Sequence, residues 1–326
     1  MIRFAVVGCG HIAKKHIQAI ESIDRARLVA VCDKDVEKMK PYEHVHTYTS
    51  LEQLLCDDEI DVVNICTPSG LHKDQALQVA RYGKHIILEK PMALTSAEAR
   101  EIITACDENR VKLTVVHPNR FKPAIQLLHW LIHTNKLGEI SHVSVSVRWN
   151  RRQSYYDEAN WRGKKLMDGG VLMNQAIHAL DLLLWMFGDV EAVQGYRATR
   201  VKDIETDDVA VGIIRFRSGV LGVIEATVNV YEKSLEESIF VTGSKGTVKI
   251  GGTSIGTIEH LAVDGASEEQ IEYWKKKFYY GTQISGHERI IEDMIESIVY
   301  DRDPFISGEE GYKVIELIEK IYSSDH

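Results

Sequence analysis

The chain has 326 residues, 44% of them hydrophobic and 27% charged, with a formal net charge of −9. That length is long for a single core and predicts two domains. The acidic balance argues against a nucleic-acid partner, and no apolar run approaches a membrane span.

The N-terminus carries no signal-peptide pattern, as expected of a cytoplasmic protein. The five cysteines, Cys9, Cys32, Cys56, Cys66 and Cys106, include no Cys-x-x-Cys pair. Such an odd, scattered set suits a reducing cytoplasm rather than a disulfide scaffold. None of the 14 histidines stands in an H-E-x-x-H pattern or beside cysteines at ligand spacing, so no metal site is expected.

The strand pattern Ile2–Val7 runs straight into Gly8-Cys9-Gly10-His11-Ile12-Ala13. A helical pattern follows, and a second apolar run, Leu28–Cys32, ends on Asp33. This strand–turn–helix–strand context marks a dinucleotide site. Gly8 permits the tight turn, Gly10 lets the backbone approach a pyrophosphate, and Ala13 lets the helix pack on the strand. His11 and Ile12 belong to the same turn, where the helix N-terminus presents free N–H groups and a positive dipole end. The Asp33 carboxylate is placed to accept from both ribose hydroxyls and to repel a 2′-phosphate. NAD is therefore favoured over NADP, a preference that the adjacent Lys34 softens.

Strand and helix patterns go on alternating, as a parallel sheet with crossover helices requires. Val45–Tyr48 reads as a short strand, and Ser50 as the cap of a helix through Cys56. Val62–Cys66 is a buried strand followed by a helix near Lys73–Tyr82, and His85–Leu88 is another strand. Thr95 and Glu98 form a capping box for a helix through Asp107, and Lys112–Val116 closes the series. The domain boundary falls near Asn119–Lys122. Residues 1–120 are thus read as a dinucleotide-binding domain with a doubly wound parallel sheet, and 121–326 as an α+β domain for substrate and subunit contacts.

In that second part a helix near Pro123–Thr134 precedes His142–Trp149, which alternates with period two. Further strands are expected at Val190–Tyr196, Val209–Phe216, Val220–Val228, Ser238–Thr242 and Thr247–Ile250, with Arg217-Ser218-Gly219 as a hairpin turn. Hairpin connections predict a mostly antiparallel, open sheet. Helices near Leu172–Phe187, Gly286–Tyr300 and Glu309–Ser323 can cover one face. The other face predicts a homo-oligomer, a dimer or a tetramer.

Three more segments bear on chemistry. Cys66-Thr67-Pro68-Ser69-Gly70-Leu71-His72 follows the fourth strand, where Thr67, Pro68 and His72 would line the cofactor path. Glu89-Lys90-Pro91 follows the fifth, at the carboxyl edge where doubly wound folds bind ligands. Gly169-Gly170 precedes Asn174, His178 and Asp181, which share one helical face by their i, i+4, i+7 spacing. His178 titrates near neutrality and suits proton transfer from a hydroxyl, unless it is a core histidine satisfied by Asp181.

Taken in order with the glycine turn, these motifs resemble the glucose–fructose oxidoreductase and inositol dehydrogenase (Gfo/Idh/MocA) family over essentially the whole chain. The resemblance implies that Lys90 lies near a sugar hydroxyl and the nicotinamide, with a Lys90–Pro91 cis peptide, and that His178 is an acid/base group. It also places Glu89, Asn119, Trp161 and Arg162 by the cofactor. The family commonly has an aspartate where this chain has Asn174. Asparagine cannot take a proton, so that work falls to Lys90 and His178, and Asn174 is left to orient substrate hydroxyls.

His117–Ala124, Arg148–Arg151 and Met173-Asn174-Gln175 further resemble the WlbA-type UDP-N-acetylglucosaminuronate 3-dehydrogenases. This implies substrate contacts from Arg120, Arg151 and Gln175. Arg148, Arg151, Arg152, Arg162, Lys164 and Lys165 cluster among Trp149, Tyr155, Tyr156 and Trp161, as a diphosphate and a base would require, although such a segment also suits a solvated loop. The expected activity is NAD-dependent oxidation of a ring secondary hydroxyl, at C3, of a nucleotide-linked uronic acid. The alternatives are an inositol, polyol or sugar-phosphate dehydrogenase of the same family, and a non-catalytic NAD-sensing regulator.

Overall fold

The computed structural model describes residues 1–279 and 284–325. The chain divides into two compact units, 1–118 with 284–315, and 119–283 with 316–326.

The first unit is built on six strands, β1 (Ile2–Val7), β2 (Ala26–Cys32), β3 (His46–Tyr48), β4 (Val62–Ile65), β5 (His85–Leu88) and β6 (Leu113–Val115). All pairings are parallel, in the order β3-β2-β1-β4-β5-β6. The order reverses direction beside β1, the arrangement that opens a crevice at the carboxyl ends of β1 and β4. The central strands are buried along nearly their whole length, as helix cover on both faces demands. The crossovers carry α1 (Ala13–Glu21), α2 (Leu51–Leu55), α3 (His72–Arg81) and α4 (Ser96–Glu108).

Thr95 caps α4 by accepting from the Glu98 N–H, whereas the Glu98 carboxylate turns to the Leu94 N–H at 3.2 Å. The expected box is therefore displaced by one residue. Ser50 precedes α2 with extended backbone, but its side chain makes no cap bond.

The second unit opens with α5 (Pro123–His133), β7 (Ile140–Arg148) and α6 (Gln153–Asp157). A π-helical turn, Leu172–Ala176, leads into α7 (Ile177–Phe187). The strands β8 (Val190–Ala198), β9 (Val209–Phe216), β10 (Leu221–Thr227), β11 (Glu236–Gly243), β12 (Gly246–Gly251) and β13 (Thr257–Val263) follow, then α8 (Glu268–Tyr279). The seven-stranded sheet runs β13-β12-β11-β7-β10-β9-β8, antiparallel except for the β7–β10 pair.

Val143, Val145, Val147, Ile214, Phe216 and Ile224 point from this sheet into the core that α7 covers. On the opposite face Tyr196, Val211, Ile213, Leu221 and Val223 are 39–58% exposed. Register places Val211 opposite Tyr196, and Ile213 opposite Val223, so these residues form one apolar patch.

The chain then returns to the first unit through α9 (Gly286–Val299) and the start of α10 (Gly308–Ser323). The sequence reading gives α9 to the sheet of the second domain. It packs instead on α1, where Ser22 Oγ donates to Glu288 at 3.0 Å. Its entry is fixed by a capping box of Ser285 and Glu288. Thr114 and Ser307 form an isolated bridge beside β6. The end of α10 belongs to the second unit, where Ser324 Oγ accepts from the Gly195 N–H at 2.9 Å.

Candidate active site

In the first unit the glycine turn is shaped by two separate requirements. Gly8 has φ +89°, and a Cβ there would lie 2.9 Å from the Cys66 carbonyl, because β1 and β4 are adjacent. Only glycine fits both conditions. At Gly10 a Cβ would meet nothing within 4 Å. The space over this residue, ahead of the first turn of α1, stays clear for a pyrophosphate.

The Asp33 carboxylate accepts from the Cys9 N–H at 2.8 Å and from the Asp35 N–H at 2.9 Å. It is thereby fixed beside the turn, with lone pairs remaining for ribose hydroxyls. His11 and Lys34 are exposed, and Ile12 is the half-buried residue ahead of α1. Burial and the Asp33 charge push the Cys9 thiol up to about 12, so it stays protonated near neutral pH.

The Thr67 hydroxyl donates to Gln75 at 2.5 Å, and Pro68 leads a short 3₁₀ turn, Ser69–Leu71. His72 is buried, with its ring nitrogens 2.7 Å from the Pro91 carbonyl and 2.9 Å from the Thr67 carbonyl. Burial lowers its pKa, and the imidazole braces the backbone rather than facing a ligand.

Glu89 is 5% exposed and lies beyond β5. Its carboxylate faces His16 Nε2 at 2.9 Å, accepts from the Lys90 N–H at 3.2 Å, and lies 3.9 Å from His287 Nε2. Desolvation opposes its charge, but His16, Lys90 and His287 together hold its pKa at about 2. The Lys90–Pro91 peptide is cis. His16 and His287 carry no motif that the sequence reading used, and only the fold brings them to Glu89.

The second unit holds the remaining candidates. Asn119 donates to Glu237 at 3.2 Å. Burial pushes the Glu237 carboxyl up to about 7. Arg120 is 1% exposed and gives Nε and Nη2 to Asp181 at 2.6–3.1 Å. Asp181 thus holds a buried arginine.

The six basic residues of the 148–165 segment separate. Arg148 is engaged by Glu225 and Glu236 at 2.5 Å each, and Lys164 by Glu205 at 2.9 Å. Arg152 and Lys165 are exposed. Arg151 and Arg162 stack on Tyr155, at 5.1 and 4.0 Å from the ring centre, and Arg162 also donates to Glu158 at 3.1 Å and to the Tyr155 carbonyl at 2.7 Å. Arg151 also packs against Trp149 at 5.0 Å and donates to Gln175 at 3.3 Å. Trp161 is half-buried, 5.8 Å from the Arg162 guanidinium.

The π-helical turn changes how Asn174 is presented. It widens the helix before His178, so the i, i+4, i+7 face of an ideal α-helix does not continue through Asn174. Asn174 donates to Asp168, a carboxylate 3% exposed that also accepts from the Gly163 N–H at 2.7 Å. Asp168 went unremarked in the sequence, although it immediately precedes Gly169-Gly170. Gly170 has φ +94°, and a Cβ there would strike the Asp207 carboxylate at 2.4 Å. Asp207 in turn accepts from the Val171 N–H at 2.8 Å and holds the entry to the π turn.

The comparisons agree with this anatomy. Residues 2–117 match the model of an oxidoreductase family with an NAD-binding Rossmann fold, and residues 125–249 match the GFO/IDH/MocA C-terminal domain. The chain is 39% identical to the WlbA dehydrogenase of Bordetella pertussis, solved with NADH and UDP-GlcNAcA. That likeness covers 99% of this chain and 95% of the other, with a TM-score of 0.93. The WlbA enzyme of Chromobacterium violaceum, solved with the same two ligands, is 38% identical over 99% of this chain and 93% of its own, with a TM-score of 0.92. The D-apiose dehydrogenase of Paraburkholderia graminis is 28% identical over 76% of this chain and 66% of its own length. The glycine turn, the Asp33 carboxylate and these matches together make the chain a member of the GFO/IDH/MocA family of NAD-dependent oxidoreductases, a dehydrogenase of the sugar-oxidising type.

Proposed function

We propose that the chain oxidises the C3 hydroxyl of a nucleotide-linked uronic acid such as UDP-N-acetylglucosaminuronate. The observation that carries this reading is the full-length likeness to two dehydrogenases crystallised with NADH and UDP-GlcNAcA. The paired stack of Arg151 and Arg162 on Tyr155 supports it, since cationic groups beside an aromatic face suit a diphosphate and a base.

NAD, when bound, accepts the hydride. Gly8, Gly10 and Asp33 hold its pyrophosphate and ribose, with the first turn of α1 behind them. Thr67, Pro68, Asn119, Trp161 and Arg162 complete its surroundings, while Glu89, its carboxylate turned to His16, acts on the Lys90 backbone. Lys90 and His178 share the hydroxyl proton, one receiving it as the carbon is oxidised. Asn174, kept in place by Asp168, orients substrate hydroxyls, and Arg151 with Gln175 meets the charged part of the substrate. Arg120 contributes by holding the start of α7 through Asp181. The protein acts as a homo-oligomer joined through the apolar patch on β8, β9 and β10. Its five free thiols, four of them buried, suit the reducing cytoplasm.

The test is absorbance at the NADH band with UDP-N-acetylglucosaminuronate, myo-inositol and glucose 6-phosphate. The uronate should give turnover, and Lys90→Ala and His178→Ala should each reduce kcat by at least about a hundredfold while still binding NAD. Turnover with inositol or the sugar phosphate alone would assign the site to a simpler sugar. Near-normal rates in either variant would remove that residue from the chemistry.

A further inference from the structure

We propose that His16 is a positioning residue for Lys90, acting through Glu89 and itself held by Asn64. The inference deepens the reading above, since it rests on Lys90 taking part in proton transfer.

The three supporting side chains come from three elements and are all buried: Asn64 on β4 is 0% exposed, His16 on α1 1%, and Glu89 beyond β5 5%. The Asn64 amide donates to His16 Nδ1 at 2.9 Å. The ionised Glu89 carboxylate on the other side of the ring can only accept, so the facing Nε2 carries the hydrogen and Nδ1 is the acceptor. Nε2 then donates to Glu89 Oε1 at 2.9 Å, and Oε2 of the same carboxylate accepts from the Lys90 N–H at 3.2 Å. The peptide beyond Lys90 is held from the other side, where His72 on α3 meets the Pro91 carbonyl at 2.7 Å.

Two buried imidazoles from two helices thus hold the backbone on either side of one lysine. His16 sits at the first turn of α1, the helix that opens from the glycine turn. It therefore ties the lysine backbone to the element that receives the cofactor phosphates.

A buried carboxylate that loses a charge-assisted donor rotates to find another, which releases its grip on the Lys90 N–H. The effect should fall on the chemical step rather than on cofactor binding, because His16 faces the sheet and not the space over Gly10.

The decisive comparison uses the full-length enzyme with NAD and UDP-N-acetylglucosaminuronate. His16→Leu should lower kcat about tenfold and leave the KM for NAD within about twofold. His16→Gln places an N–H near the position of Nε2 and should restore most of the rate. Equal rates in the two variants, or a loss confined to KM, would overturn the proposal. If His16→Leu does not fold, His16→Asn takes its place. Its shorter amide falls short of Glu89 and should lose kcat where glutamine does not.

Lys90→Ala separates the two ideas. If Lys90→Ala retains activity, the catalytic reading fails and the inference goes with it. If Lys90→Ala is inactive and His16→Leu is normal, only the inference fails. Elemental analysis closes a different route, because His16, Glu89 and His287 are also placed as three ligands for a transition metal. The hydrogen-bonded chain requires none. One equivalent of zinc in the purified enzyme, lost in His287→Ala, would overturn it in favour of ligation.

Discussion

Arg120 illustrates how a buried partner escapes a reading of sequence spacing. Resemblance gives it to the substrate, but its guanidinium is buried against a carboxylate 61 residues along the chain. Sequence spacing cannot reveal such a pair, whereas Asp33 was legible because its partners belong to the same short βαβ unit. Removing one member of a buried pair leaves an uncompensated charge, at a cost of about 3–5 kcal/mol. Asp181→Ala should lower the urea midpoint by that equivalent, a loss too large for a residue that serves substrate alone.

Glu237 gives a pH-dependent counterpart. Burial raises its pKa from 4.5 to about 7, so the folded state favours the protonated form. The unfolded chain releases that proton first, and stability therefore falls as pH rises from about 4.5 to 7. The whole effect is about 3 kcal/mol. Glu237→Gln should raise Tm at pH 8 and change little at pH 4, as read by calorimetry. An equal change at both pH values would mean that the carboxyl does not titrate in this range.

At the level of elements, the two glycines of the opening turn separate fold from function. Gly8→Ala should destabilise the first unit, because both φ and the Cys66 carbonyl exclude a side chain. Gly10→Ala should leave Tm nearly unchanged and weaken NAD by about tenfold or more, a difference of about 1.4 kcal/mol measurable by titration calorimetry. Unchanged affinity in Gly10→Ala would place the pyrophosphate elsewhere.

The parallel strands were readable because a strand buried on both faces is a continuous apolar run, as in Val62–Ile65. β13 was not, since its residues Thr257–Val263 are half-buried or exposed and carry Glu259 and His260. α8 was also missed. Trp274 is its one buried residue among those described, and the rest looks like a solvated charge run. The π turn before α7 was invisible for another reason. Its apolar spacing matches a helix, and nothing in residues Leu172–Ala176 announces a wider turn.

For the molecule as a whole, the apolar patch on β8, β9 and β10 is what a lone chain leaves exposed. Ile213 is 58% and Leu221 51% exposed, with Val223 opposite Ile213 and Tyr196 opposite Val211 on the same face. An exposed apolar patch of this kind is the surface on which the proposed oligomer would form. Ile213→Glu should shift the mass measured by light scattering toward the monomer while NAD binding is retained. A wild-type protein already monomeric at micromolar concentration would remove the oligomer from the account.

The return of residues 284–315 to the first unit bears on biosynthesis. The cofactor domain looks complete by residue 118, yet α1 waits for α9 to cover it, and His287 is among the side chains that arrive late. At ribosomal speeds of about 5–20 residues per second, more than 160 residues separate the two parts, so the nascent domain stays partly uncovered for about ten seconds or longer. During that interval the half-made enzyme is a natural client for chaperones, and a stalled or prematurely terminated message would release a nucleotide-binding fold with an open flank.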